Sequence, residues 1–553
     1  MKLRNFIKKF LNSRYTTSQI SGKIFLKYNP YKKNEIDIIR KKFFALNINI
    51  EKKKISKFIF QNKENATTVL KNALNNNIFS ENNKITLNFL DQIYSSFAKK
   101  KYSTKFFLPM CNDQIKFAKE NLKLNISVSK CKIYFIILIL NNLFKGFTFG
   151  FYIFFRSFLH IKNNTENKID KNIIFFDVEL NKNDLNLIEG EEYFIIKKFY
   201  KKYRLNKSDF LTIVKPKNRV LDNKIIRNGK YLFKFNRDPY PNFKNLFINF
   251  KFIIWHFTSF AICLKDLLIF RWYNSFLFFE AVKSKVFFYN KNQVPKFFLT
   301  PYMGSIKRSL WTFDHKNLIS RCFLFFYSTN GEGYETKYYK PNDSSNWGQL
   351  DYKSYLVWDK FQKRILKEKL RIEKPKINII GPMLSSIQYE KTEDLKKEKY
   401  ILIFDLIPEK FKFEYFTSYS IINGKNIVKF QNDIIEVAND LNIRVVHKLK
   451  RSRNLNKVCK KYLKNLEYLK QFNNYTVLSD KYSISELINN SSCCISFPYI
   501  SAALIAKEIK KPSIYYDSSG EIINLEKKKE SHGLDIINSK ANLKVWLAKT
   551  MQR

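Results

Sequence analysis

Three cations, Lys448, Lys450 and Arg451, stand within four residues directly after the apolar run 443–446 and His447. A diphosphate concentrates negative charge, and Lys or Arg at the end of a strand neutralises it. The other reading of the same run is a solvated basic loop. A second segment, Ser496-Phe497-Pro498-Tyr499-Ile500-Ser501, leads into the apolar stretch AALIAKEIK. Pro498 has no backbone donor and so ends a strand rather than continuing one. Ser501 suits the N-cap of the helix that follows. The free amides and positive dipole of that helix start would attract an anion, unless the helix is simply a capped surface helix. Together, on neighbouring crossovers, the basic loop and the helix start predict a phosphate grip built from Lys448, Lys450, Arg451, Pro498, Tyr499 and Ser501. Asp517 ends the next apolar run. It suits either acceptance from a ribose or sugar hydroxyl or the turn before Ser518-Ser519-Gly520. His532, one of five histidines, precedes Gly533.

These residues need a frame that brings strand ends together. From residue 400 the sequence alternates. YILIF at 400–404 reads as a strand ending at Asp405. Phe430, Ile434, Ile435, Val437, Ala438 and Leu441 fall on one helical face. Strands follow at 443–446, 475–478, 493–497 and 513–516, with helices at 485–490 and 502–510. Strands alternating with helices imply a parallel sheet covered on both faces, and such sheets bind ligands beyond the carboxyl ends of their strands. Upstream, the apolar runs 172–177, 296–300 and 322–327 read as buried strands. The predicted class is α/β. Pro375 and the charged stretch 391–399 mark the boundary, giving a helical or mixed region at 1–130, a first α/β domain at 131–385 and a second at 386–553.

Of 553 residues, 45% are hydrophobic, enough for large cores. Lys and Arg total 100 against 48 Asp and Glu, a net of +52. Lys, Asn, Ile and Phe are all heavily used and the cations are spread along the chain, which points to compositional drift rather than to a polyanion partner. An attraction to anionic membrane surfaces follows all the same. Seven cysteines without a CxxC pair exclude a zinc site of that kind and suggest a reduced, cytosolic protein. The start of the chain lacks the apolar core of a secretory signal, although Phe6, Ile7, Phe10 and Leu11 suit one face of a basic amphipathic helix. Two regions, 133–159 and 247–288, are long and apolar, but polar and charged residues interrupt them. Both read as buried or interfacial helices rather than membrane spans.

The run SELINNSSCCISFPYISAALIAKEIKKPSIYYDSSG resembles the bacterial polysaccharide biosynthesis proteins that carry the Pro-Phe-Thr-Ser (PFTS) motif, here Pro498-Tyr499-Ile500-Ser501. Two of the four positions depart from it. Tyr327-Ser328-Thr329-Asn330, Tyr355–Asp359 with Gln362, Gly381-Pro382, Phe404-Asp405 with Pro408, and Lys448-Leu449-Lys450-Arg451 are similar to further segments of that family, in the same order. The resemblance implies two Rossmann-like domains facing across a cleft (GT-B type), with extra helices in the N-terminal half. It further implies a metal-independent glycosyltransferase with no cofactor and no bound metal. A nucleotide sugar would be the donor and a lipid-linked or polysaccharide chain the acceptor, in surface polysaccharide assembly of O-antigen or capsule type. Asp517 and His532 would then contact the donor nucleoside or sugar. The general base would come from the first domain, with Glu332 ahead of Asp177. The protein would be cytoplasmic, with peripheral contact at the inner membrane face. A non-catalytic or membrane-integral role in the same pathway is the alternative, with a nucleic-acid-binding protein, argued from the net charge and aromatics, as the more distant one. Nucleic acid is not expected as a partner, because the sequence carries no nucleic-acid-binding motif.

Overall fold

The computed structural model describes residues 50–60, 66–71, 73, 109–120, 126–162, 172–188, 191–222, 224–236, 240–290, 293–302, 309–314, 321–329, 334–337, 347, 350, 352–370, 374–384, 399–408, 421–450, 458–498, 500–523 and 531–552. The candidate N-terminal amphipathic helix lies outside them, as does most of the region 1–130.

The first sheet holds eight strands: β1 (Asn172–Leu180), β2 (Phe210–Pro216), β3 (Ile225–Asn228), β4 (Tyr231–Phe235), β5 (Phe297–Pro301), β6 (Arg321–Phe325), β7 (Ser354–Val357) and β8 (Lys376–Ile379). Their order is β3-β4-β2-β1-β5-β6-β7-β8. All neighbours are parallel except the β3–β4 hairpin, which turns at Gly229 with φ +54°. The second sheet holds β9 (Tyr400–Phe404), β10 (Arg444–Lys448), β11 (Tyr475–Leu478), β12 (Cys493–Ser496), β13 (Ser513–Tyr516) and β14 (Ile536–Ile537). Its order, β11-β10-β9-β12-β13-β14, is parallel throughout. Counted from β9, this is the doubly wound order 3-2-1-4-5-6, whose chain path reverses between β9 and β12 and opens a crevice there. β9 and β12 are buried at every position, which is why their sequences are continuous apolar runs rather than alternating ones. The predicted α/β class with two Rossmann-like sheets is what the topology shows.

Helices pack on these sheets. In the first half they are α1 (Val128–Lys162), α2 (Ile195–Lys202), α3 (Leu246–Leu268), α4 (Trp272–Tyr289) and α5 (Lys360–Lys369). In the second they are α6 (Gly424–Asp440), α7 (Lys460–Leu469), α8 (Ile484–Asn490), α9 (Ala502–Glu508) and α10 (Lys540–Met551). α1, α3 and α4 form a helical layer whose close approach depends on two glycines. A Cβ on Gly146 would stand 2.5 Å from the Phe278 ring, and one on Gly150 would stand 2.3 Å from the His256 imidazole. His256 Nε2 is 3.1 Å from the Phe147 carbonyl, and burial pulls its pKa down to about 4. Arg156 donates to Asn242 and to the Tyr240 carbonyl, each at 2.7 Å. Glu280 accepts from Lys283 at 2.9 Å and from the Leu310 amide at 3.2 Å. Arg156, His256 and Glu280, three of the polar residues that interrupt these apolar sequences, therefore face inward with protein partners, whereas Lys145, Lys251, Lys265 and Arg271 are exposed.

The structure refines two of the readings. The region 247–288 is two helices, broken at 269–271, where Phe270 takes φ +58°. Only α4 is a buried helix, whereas α1 and α3 bury one side and leave large apolar side chains on the other. Strands β2, β3, β4, β7, β8 and β14 add to those read from sequence, and β1 continues to Leu180 through a bulge between Phe176 and Glu179.

Candidate functional site

The carboxyl edge of the second sheet rests on a buried polar network. Asp405, directly after β9, accepts from Gln431 of α6 at 2.6 Å and from the Tyr462 hydroxyl at 3.3 Å. Gln431 in turn accepts from Asn465 of α7 at 2.7 Å. His447 of β10 is fully buried, with Nε2 3.2 Å from Asp405 Oδ1 and Nδ1 2.5 Å from the Tyr475 hydroxyl. Asp405 and His447 are thus spent on joining β9, β10, β11, α6 and α7. This buried network ties the carboxyl ends of β9 and β10 to α6 and α7.

Lys448 and Ser496 both pair in register with Phe404, so the segments after β10 and β12 leave the same sheet edge, one strand apart. The Lys448 side chain turns away from β12. Its ammonium donates to the Asp480 carbonyl at 3.2 Å and to the Leu449 carbonyl at 3.5 Å. Burial pulls its pKa down to about 8, opposed by the Asp480 carboxylate. Lys450 is half-buried, and Arg451 and Tyr499 lie outside the described residues. Pro498 follows the end of β12 and is buried.

Ser501 does not cap α9. Its φ of −67° and ψ of −13° are already helical, and its side chain makes no cap hydrogen bond. The hydroxyl crosses to the other sheet instead, 3.2 Å from the Ser328 hydroxyl and 3.4 Å from both the amide and the hydroxyl of Thr329. Ser328 and Thr329 follow β6 and are positioned by the next crossover. Gln362 of α5 donates to the Ser328 carbonyl at 3.0 Å, and the Trp358 indole donates to the Phe326 carbonyl at 2.6 Å. The two sheets thus face each other through the carboxyl ends of their strands.

Three further contacts run along this junction. Asp359, after β7, caps α5 by accepting from the Gln362 amide at 2.7 Å, and its carboxylate meets His532 Nδ1 at 2.9 Å. Burial opposes ionisation of Asp359, but the hydrogen bond and charge of His532 and the Gln362 and Phe361 amides outweigh it, leaving the carboxyl below its ordinary range. The His532 carbonyl accepts from Lys507 at 2.9 Å. Glu191 of the first domain accepts from Ser485 of α8 at 3.1 Å, with the Ser483 hydroxyl at 3.5 Å. Burial pushes this carboxyl up, against the pull of the Tyr193 amide and the two serines. Thr336 pairs with Ile522 as an antiparallel bridge.

The other residues singled out by sequence fall as follows. Asp517 is fully buried, and its carboxylate accepts from the Ser519 amide at 3.0 Å and the Ile522 amide at 2.9 Å, so it holds the turn after β13. Asp177 sits at the β1 bulge, ion-paired with Lys215 and 3.4 Å from the Thr300 hydroxyl. Glu332 lies outside the described residues. Glu191 and the partnership of Asp359 with His532 escape a reading by local pattern. Each joins segments more than a hundred residues apart, and only the juxtaposition of motif segments hints at the second pair.

The sequence profile of the family described as "Polysaccharide biosynthesis PFTS motif protein" matches residues 258–547. Curated proteins give no match. Among solved structures, trehalose 6-phosphate synthase from Burkholderia multivorans is 10% identical, with 69% of this chain and 88% of that one covered and a TM-score of 0.36. The wall teichoic acid polymerase TagF is 12% identical, with 73% and 90% covered and a TM-score of 0.33. The UDP-GlcNAc 2-epimerase of Methanocaldococcus jannaschii is 12% identical, with 50% and 73% covered and a TM-score of 0.30.

Proposed function

Because the chain belongs to the family of polysaccharide biosynthesis proteins with the PFTS motif, we propose that it is a glycosyltransferase of GT-B type. It takes a sugar from a nucleotide-activated donor and passes it to a lipid-linked or polysaccharide acceptor in the assembly of a surface polysaccharide of O-antigen or capsule type. It works in the cytoplasm, at the inner face of the membrane, without a bound metal or cofactor. The observation that carries this reading is Ser501. The last residue of the motif stands at the switch-point edge of a 3-2-1-4-5-6 sheet and touches the segment after β6 of the other sheet. A donor held at that junction has one domain around its phosphates and the other in position to present the acceptor.

The chemistry requires stabilisation of the leaving phosphate, accommodation of an oxocarbenium-like sugar and removal of the acceptor proton. Lys448, Lys450 and Arg451, with the backbone and hydroxyl around Pro498, Tyr499 and Ser501, take the first role. His532 lies on the donor side of the junction, and the Asp517 turn shapes the wall beside it. A first-domain carboxylate, Glu332 or Asp177, accepts the proton. Thermal melting of the purified protein against a panel of nucleotides and nucleotide sugars tests the reading. A CMP-, UDP- or GDP-sugar should raise the melting temperature, and Ser501→Ala should weaken that shift. No shift with any of them contradicts the proposal. Glu332→Gln and Asp177→Asn should then separate the base, since the true one loses kcat while donor binding persists.

A further inference from the structure

The helical layer carries a surface that the donor chemistry leaves unexplained. α1 and α3 are each long and apolar enough to cross a bilayer, yet only 28% of the most apolar stretch of α1 and 39% of that of α3 is buried. Phe247 is 75% exposed, Leu268 83% and Phe270 90%, and Phe144, Phe155 and Ile254 are each more than half exposed. The two faces are continuous. Phe151 and Phe154 of α1 meet Phe257 and Phe250 of α3 at ring-centroid distances of 5.3 and 6.0 Å. Isolated exposed apolar residues are ordinary, but a contiguous aromatic face marks an interaction surface.

The charge on this face selects the partner. Residues 128–162 contain no Asp or Glu, and residues 246–271 contain only Asp266, whose carboxylate accepts from Asn274. The exposed charges of the two helices include Lys132, Lys251 and Lys265, and Arg271 is exposed in the break after α3. A second copy of the chain docked on the same face would set cations against cations. An anionic bilayer complements both features, receiving the aromatic side chains below its headgroups and pairing the headgroups with the cations. A span is disfavoured on two counts. α1 is about 50 Å long, against a hydrocarbon thickness of about 30 Å. The inner sides of the layer carry Arg156, His256 and Glu280, bonded to protein groups rather than turned toward lipid.

We propose that α1 and α3 lie in the plane of an anionic membrane leaflet and hold the chain there as a monotopic protein. The inference does not depend on the nucleotide-sugar reading, and its test uses no donor. The full chain is floated with phosphatidylcholine vesicles, with and without phosphatidylglycerol. It should float with the anionic vesicles and bind the neutral ones more weakly. Lys251→Ser with Lys265→Ser should weaken only the anionic binding, by about fivefold for each cation removed. Phe247→Ser, Leu268→Ser and Phe270→Ser together should abolish flotation with both vesicle types while leaving the melting temperature unchanged. Three results overturn the proposal. One is no flotation with anionic vesicles. Another is undiminished flotation of the triple aromatic and aliphatic variant, which would mean that net charge alone binds the chain. The third is a dimer that the triple variant converts to monomer without any change in lipid binding, which would assign the face to a second copy.

Discussion

The strands β9 and β12 of the second sheet and the helices of the helical layer are all built from largely apolar sequence, yet their side chains end in different surroundings. In β9 and β12 every residue is buried, because helices cover both faces of a parallel sheet and each strand has a neighbour on both sides. In α1 and α3, α4 covers one side and the other side keeps its Phe, Ile and Leu exposed. Apolarity alone thus sets the demand for a cover. Topology decides whether the protein supplies that cover or leaves it to a partner.

The contrast can be broken by matched substitutions, and the largest effect belongs to the sheet. Ile403 is fully buried in β9, and Ile403→Ala should cost about 2–5 kcal/mol in denaturant unfolding. A loss under about 1 kcal/mol would mean that this core is not packed as described. Next is the pair of half-buried Asp359 and buried His532 across the junction. Asp359→Asn keeps an N-cap acceptor but loses the charge facing His532. It should lower stability by about 1.5–3 kcal/mol. The Asp359 carboxyl sits below its ordinary value of 3.8, so its contribution is complete above that pH and disappears as pH falls below it. Unfolding midpoints of the two proteins should therefore converge in acid. Smaller again is a pH effect on binding. Lys448 has a pKa pulled down to about 8, so nucleotide-sugar affinity should fall as pH rises through that value and the amine loses its charge. Lys448→Met should bind more weakly and titrate flat. Smallest is Leu268→Ala on the exposed face, with a stability change within about 0.5 kcal/mol. A large loss there would show that protein, not lipid, covers the residue.

The sequence made the second sheet legible because buried parallel strands are short continuous apolar runs, and 400–404, 475–478 and 513–516 match β9, β11 and β13. β3 and β4 were harder, since their burial alternates and Lys and Arg interrupt them. β8 carries Lys376 and Asn378 and so lacks the continuous apolar run that marks a buried parallel strand. At the site, Lys448 and Ser501 were recognisable from their place after strands, but their partners were not. Ser501 looks like a cap until its hydroxyl is seen 173 residues away in sequence at Ser328. Asp405 and His447 stand at strand ends in the sequence, and only three-dimensional packing joins them in one buried network. The exposed face of α1 and α3 was hidden for a different reason. Hydropathy fixes which side chains avoid water, not what shields them.

The central claim is that the donor lies where the two carboxyl edges meet. Ser328→Cys combined with Ser501→Cys tests it directly, since the native hydroxyls are 3.2 Å apart across the junction. The free protein should form the disulfide on mild oxidation, and the nucleotide sugar that raises the melting temperature should slow its formation. Bridging at the same rate with and without that stabilising ligand would place the donor elsewhere and contradict the account.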